Sequence, residues 1–165
     1  MAPLLSLNGD SSSGISNAAI RGSGVYVRTS AGWSESARAM KSDRAYEDLA
    51  LYEDFGDACR PVPVSAAEEI AMVGSQAKYK GFWFGLGSVW TAAGTRVRIP
   101  STQGTPDRFA ALFYDGPDNA LVAALPGAQV HNPRELIGRI TMLVRLDDLD
   151  GYRETITPIT GVTQG

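Results

Sequence analysis

Residues 136–146 read Leu-Ile-Gly-Arg-Ile-Thr-Met-Leu-Val-Arg-Leu, and their period decides the fold class. Successive side chains of an extended chain point to opposite sides. Leu136, Ile140, Met142, Val144 and Leu146 therefore share one face, with Arg139, Thr141 and Arg145 among those on the other. This is the longest strand pattern in the chain, and its second face is amphipathic.

The same period recurs on both sides of it. Val25, Val27 and Thr29 alternate with Tyr26 and Arg28 behind the glycines at 22 and 24, which predicts a first, half-buried strand. Phe82-Trp83-Phe84 and Val89-Trp90 flank Gly85 and Gly87, and residues 95–99 alternate up to Pro100, so a bend or bulge within the sheet is expected. Residues 108–114 and 120–125 are short apolar runs separated by the turn Asp115-Gly-Pro-Asp118-Asn119. Residues 152–159 close the sheet, with Pro158 confining that strand to an edge or a strand end.

Two segments read as helices instead. Ser42 caps a helix over residues 42–55, with Ala45, Leu49 and Tyr52 on one face and Gly56 as its stop. Ser65-Ala-Ala-Glu68 has the form of a capping box ahead of a second helix over residues 66–79, ended by Gly81. The expected fold is therefore α+β and mainly β: an antiparallel sandwich or jelly-roll-like domain with two short helices in its connections. Residues 25–154 form that domain. Residues 1–24 and 155–165 are extended terminal arms, rich in small polar residues and without the apolar periodicity needed to dock on their own domain. Such arms are expected to be ordered by neighbouring subunits.

Composition narrows the function classes. At 165 residues and 44% hydrophobic the chain fits one globular domain with a sizeable core. A net charge of −3 gives no electrostatic reason to expect nucleic acid. No apolar run approaches the length of a membrane span, and residues 1–9 lack the pattern of a signal peptide. Cys59 stands alone, which excludes an intrachain disulfide and suits a reducing cytosol. Three lysines face twelve arginines, a bias that protein interfaces share, because the planar guanidinium is less strongly hydrated and bonds in a fork.

Catalytic patterns fail in turn. Cys59 and the single histidine, His131, are the sole nucleophile–base pair available, and neither has a supporting context: Cys59 reads as a small buried thiol and His131 as a loop residue. No Gly-x-Ser-x-Gly elbow is present. Gly85-Leu-Gly87 begins like a dinucleotide fingerprint, but Trp90 stands at the third glycine position. Asp147, Asp148 and Asp150 match part of a calcium loop whose first and twelfth ligand positions hold Leu146 and Thr157, so a full EF-hand is excluded. No enzymatic activity and no cofactor is expected. Asp115 and Asp118 remain as a metal candidate, since two carboxylates on one tight turn leave coordination sites for another chain. Calcium at a subunit contact is the ion that fits hard oxygen ligands.

Phe109-Ala-Ala-Leu-Phe-Tyr114 followed by Asp115-Gly-Pro-Asp118 resembles the strand and acidic turn of small icosahedral virus coat proteins of the jelly-roll type, in which such a carboxylate pair binds calcium between subunits. The resemblance covers about twenty residues. It implies a structural subunit of a virus or phage, either a capsid or coat protein or a cement protein. Such a protein is made in the host cytoplasm, is located in the virion, and is partnered by copies of itself or other capsid subunits. The chain lacks the basic arm of that family and is short for a complete jelly roll, departures that suit a cement or minor capsid role. Two other classes stay open. One is a small-ligand-binding β domain whose pocket is lined by Phe82, Trp83, Phe84 and Trp90. The other is an enzyme using carboxylates drawn from Asp115, Asp118 and residues 147–150.

Overall fold

Alternation of apolar residues, carried from strand to strand, builds one large antiparallel sheet in the computed structural model, which describes residues 19–37, 48–131 and 140–159. Its strands are β1 (Gly24–Thr29), β2 (Gly32–Glu35), β5 (Glu69–Tyr79), β6 (Phe82–Thr91), β7 (Arg96–Val97), β8 (Arg108–Tyr114), β9 (Gln129–Val130), β10 (Ile140–Arg145) and β11 (Gly151–Pro158). A hairpin of β3 (Asp48–Tyr52) and β4 (Cys59–Pro63) forms a second, small sheet. The order is β2-β1-β5-β6-β8-β10-β9, with β11 on β5 and β7 on β6.

The central strand is β5, and it corrects the sequence reading. Residues 66–79 are not a helix. Glu69–Tyr79 is extended, and Val64–Ala66 is a single 3-10 turn whose cap makes no side-chain hydrogen bond. Ala71, Val73, Ser75 and Ala77 point inward and are buried, while Met72 and Gly74 point outward. That is a period of two hidden in helix-forming residues, and sheet packing on both edges overrides their propensity. Glu68 serves no cap; its carboxylate accepts from Arg28 Nη1 at 2.6 Å. The expected helix over 42–55 is also absent where the structure describes it, since residues 48–52 form β3 and the rest of its first half, 42–47, lies outside the described residues. Conversely, the apolar run at 120–125 is no strand. Asn119–Ala123 forms the short helix α1, which buries Val122 alone.

β5 changes partner along one edge. β1 lies beside residues 69–73 and β6 beside 76–79, whereas β11 follows the other edge from 71 to 78. Ser23 fills the fork between β1 and β6: its Oγ accepts from the Ser75 N–H at 2.9 Å and donates to the Leu86 carbonyl at 2.7 Å. The expected irregularity near the glycines is a register shift between Leu86 and Ser88, after which β6 continues along β8.

One face of the sheet carries the main core of Phe84, Leu86, Leu112, Ile140, Met142, Val144 and Tyr152, with Ile20 and Val122. Leu146 is buried there as expected but sits in a 3-10 turn, and Leu136 and Arg139 lie outside the described residues. The β3–β4 hairpin covers Val25, Val27 and Ile70 with Leu49, Leu51, Val62 and Val64. β1 is consequently buried on both faces rather than one, and Tyr26 is 3% exposed.

The domain boundaries shift outward as well. Ile20 and Arg21 are buried, and residues 155–158 belong to β11, with Ile159 packed under the hairpin. The expected arms therefore begin no nearer than residue 18 and residue 160, and residues 1–18 and 160–165 lie outside the described residues. No helix among the described residues is long and apolar enough to cross a membrane.

Candidate assembly face

Two features stand out once the strands are placed, one inside the sheet and one outside it. Inside, Arg21 meets Glu154 in a two-pronged ion pair, Nε donating to Oε2 at 2.8 Å and Nη2 to Oε1 at 3.0 Å, with both side chains almost wholly buried. Tyr152 donates to Glu154 Oε2 at 2.6 Å, its hydroxyl lies 3.1 Å from Ser75 Oγ, and the Tyr26 hydroxyl donates to the Gly22 carbonyl at 2.8 Å. Burial pushes both phenols well above the ordinary tyrosine range, with Glu35 adding for Tyr26 and Glu154 for Tyr152. The hollow that Arg21 and Tyr26 themselves line, with Glu35 and Arg98, is only about 30 Å³. The network is a clamp that ties residues 19–23 to β11.

A second buried arginine fixes the hairpin. Arg98 lies with its guanidinium 3.3 Å from the Tyr52 ring centroid, donates from Nη2 to Asp57 Oδ1 at 2.9 Å, and stands 3.2 Å from Glu35 Oε1. Both arginines are held as buried cations, although Arg98 Nη1 faces Glu35 without making a hydrogen bond and Asp57 is exposed.

Outside, the alternation that sends Phe84, Leu86 and Val89 into the core turns Trp83, Gly85, Gly87 and Trp90 to the outer face. On the neighbouring strands Phe109, Ala111 and Phe113 of β8 and Thr141, Leu143 and Arg145 of β10 take the same side. Leu143 is 59% exposed. Three open hollows run along this face. The first, about 470 Å³, lies between Trp83 and Phe113 over Gly74 and Gly85. The second, about 550 Å³, reaches from Phe113 and Gly87 to Thr141 and Leu143. The third, about 390 Å³, is bounded by Trp90, Phe109 and Leu143. Phe113 and Leu143 are shared walls, so the three adjoin in one strip whose apolar residues are interrupted by Gln76 and Asp115 in the first hollow and by Arg96 and Gln129 in the second.

Glycine makes this strip possible. A Cβ at Gly85 would collide with the tip of the Phe113 ring, so glycine lets that ring end lie against β6. Polar residues rim the strip: Arg153 stacks on Trp83 at 4.0 Å from the ring centroid and donates from Nε to Gln76 Oε1 at 2.6 Å.

The expected aromatic pocket is therefore divided. Phe84 is 1% exposed and stacks edge-on with Tyr114, Phe82 packs against the same core, and only Trp83 and Trp90 face outward, in separate hollows. Cys59 is exposed rather than buried, on an edge of the small hairpin, and His131 Nε2 lies 2.6 Å from Thr141 Oγ1. Asp115 and Asp118 are both exposed on the turn after β8, at one end of the strip, and Asp115 lines the first hollow. The backbone N–H of Asp118 donates to the Tyr114 hydroxyl at 3.1 Å, which orders that turn. Among the described residues no three His, Cys, Asp or Glu side chains gather as a metal site. Asp147 and Asp150 hold backbone N–H groups of Gly104 and Lys80. The sequence singled out the aromatics of β6 but missed Phe109, Phe113 and Leu143 as their partners, because only strand register brings the three strands side by side. No protein-family profile, curated protein or solved structure matches the chain.

Proposed function

We propose that this protein is a non-catalytic structural subunit of a multi-subunit assembly, and that the apolar strip on the outer face is where it meets its neighbours. The observation that carries the reading is that strip: aromatic anchors on the adjacent strands β6 and β8, exposed Leu143 on β10 beside them, and a polar rim containing arginine, which is the composition of interface centres. Rigid strands hold these side chains in place, so little ordering entropy is lost on docking. The more specific form of the proposal is a capsid, coat or cement protein of a virus or phage, jelly-roll-like and located in the virion, with other capsid subunits or copies of itself as partners. It rests on the resemblance of residues 109–118 to the strand and acidic turn of coat proteins. In that form Asp115 and Asp118 face a neighbour, where calcium or an arginine offsets their mutual repulsion.

The virion form is tested by fractionating particles on a density gradient and quantifying the chain by mass spectrometry. It should co-sediment with the particles in fixed stoichiometry and resist a salt wash. Recovery only from the particle-free fractions overturns it.

One observation favours a second reading, a small-ligand-binding domain. The hollow between Trp83 and Phe113 has the volume of ligand sites and a glycine floor that admits a flat group.

A further inference from the structure

The longest regular unpaired edge among the described strands belongs to β11. Its register against β5 runs unbroken from Gly151↔Lys78 to Pro158↔Ala71, and the Ile159 N–H continues it by donating to the Ile70 carbonyl at 2.9 Å. In an antiparallel ladder hydrogen-bonded pairs recur every second residue, so the odd-numbered residues of β11 turn their N–H and C=O groups to β5. Tyr152, Glu154, Ile156 and Pro158 turn theirs the other way. No described strand pairs with them.

Edges of this kind are usually blunted by a charge pointing inward, a bulge or a lysine. β11 has no bulge and no lysine, and its proline, Pro158, blunts only the last position of the strand. Its inward charge, Glu154, is already neutralised by Arg21 and bonded by Tyr152. An incoming strand therefore meets an extended backbone whose inward charge is compensated, with Arg153 on the outward face against Trp83 and Gln76.

We propose that β11 pairs antiparallel with β11 of a second copy across a two-fold axis at Thr155. The sequence of the edge selects both the occupant and the register. Centred on Thr155, the arrangement sets Thr155 opposite the partner's Thr155, Arg153 opposite the partner's Thr157 and Glu154 opposite the partner's Ile156. About six N–H···O bonds form, the two Pro158 positions each contributing only an acceptor. Centring on Arg153 or Glu154 puts like charges face to face, which disfavours both. Centring on Ile156 or Thr157 brings Pro158 inward and loses donors. The strand is thus self-complementary in one register, the property a closed two-fold contact needs. This inference rests on the assembly reading but uses a different surface from the outer strip, so one chain carries two contacts and can build beyond a dimer.

Cross-linking tests it. Cys59→Ser removes the exposed native thiol, and Thr155→Cys is added to that background. In the proposed register residue 155 forms a pair without ladder hydrogen bonds, with Cα atoms about 4.5 Å apart, inside the disulfide window. Mild oxidation with glutathione should convert most of the chain to a covalent dimer on a non-reducing gel. The Thr157→Cys counterpart, whose two copies stand about 13 Å apart in that register, should stay monomeric. Unchanged melting of both variants establishes that they fold. Thr155→Cys cross-linking no better than Thr157→Cys overturns the proposal. So does slow amide exchange at Glu154 and Ile156 in the monomer, which would mean that the chain covers its own edge. Sedimentation of the Cys59→Ser parent separates the two failures: an oligomer without a Thr155→Cys dimer refutes only this edge, and a monomer at every concentration refutes the assembly reading too.

Discussion

Replacing Arg21 by methionine isolates the clamp between residues 19–23 and β11. The substitution keeps much of the side-chain volume and removes the cation. Glu154 is then left with a side chain that has no solvent exposure and no countercharge. Breaking one partner of a buried ion pair costs about 3–5 kcal/mol, and here exposure is too small for solvent to screen the loss. In a domain of this size each kcal/mol lowers the melting temperature by about 2–4 °C, so Arg21→Met should melt roughly 6–20 °C below the parent. Urea unfolding followed by tryptophan fluorescence gives the free energy directly. Glu154→Gln should also destabilise, because it strands the arginine. The double variant should lose less than the sum of the two, with a coupling of about 1–3 kcal/mol. A cost below about 1 kcal/mol for Arg21→Met, or strict additivity, would refute the claim that this segment is part of the core rather than an arm.

The glycines give a graded test of the sheet. Gly22→Ala places a Cβ 2.6 Å from the Gly87 carbonyl oxygen, a backbone atom, whereas at Gly74 the nearest atom is 3.9 Å away; Gly22→Ala should cost about 1–3 kcal/mol in urea unfolding and Gly74→Ala close to none. Met142→Asp buries an unpaired charge in the core and should abolish folding or soluble expression, while Thr141→Asp on the outer side should melt within a few degrees of the parent; equal tolerance would refute the face assignment of β10. Burial raises Tyr26 and Tyr152, so the folded state holds two protons that the unfolded chain gives up above about pH 10. Their contribution is complete below that pH and is lost as pH rises, at about 1.4 kcal/mol per pH unit for each phenol; an unfolding midpoint unchanged between pH 9 and pH 11 would contradict it.

How much of this was legible in the sequence depended on what the alternating residues were. β1, β8, β10 and β11 declare themselves because most of their inward positions are Val, Ile, Leu, Tyr and Met, with Ala110 and Glu154 among the exceptions, and their outward ones include Arg and Thr. β5 alternates just as strictly, but Ala71 and Ala77 inward with Met72, Gln76 and Lys78 outward are strong helix formers, and the period was masked by propensity. Its role became visible only through its neighbours β1, β6 and β11, which are contributed by distant parts of the chain. The same holds for Arg21. One cation in a run of small residues looks like part of a tail, and nothing local announces a carboxylate 133 positions away. The outer strip was half legible: Trp83 and Trp90 were conspicuous, but whether an aromatic faces core or solvent turns on a parity that the shift at Leu86/Ser88 inverts midway along β6. Asp115 and Asp118 stood out as a pair, and their exposure at the end of the strip follows from the turn that the Tyr114 hydroxyl orders.

Sedimentation velocity on the purified full chain, from low micromolar to about 100 µM, compared with Leu143→Glu, tests the assembly reading most directly. Leu143 is solvent-exposed and contributes no core contact, so the variant should fold and melt like the parent. The account predicts that the parent sediments as a concentration-dependent oligomer and that a charge in the middle of the apolar strip shifts it towards smaller species. A parent that stays monomeric throughout, or an oligomer whose size distribution Leu143→Glu leaves unaltered, would contradict the claim that this face joins the protein to its neighbours.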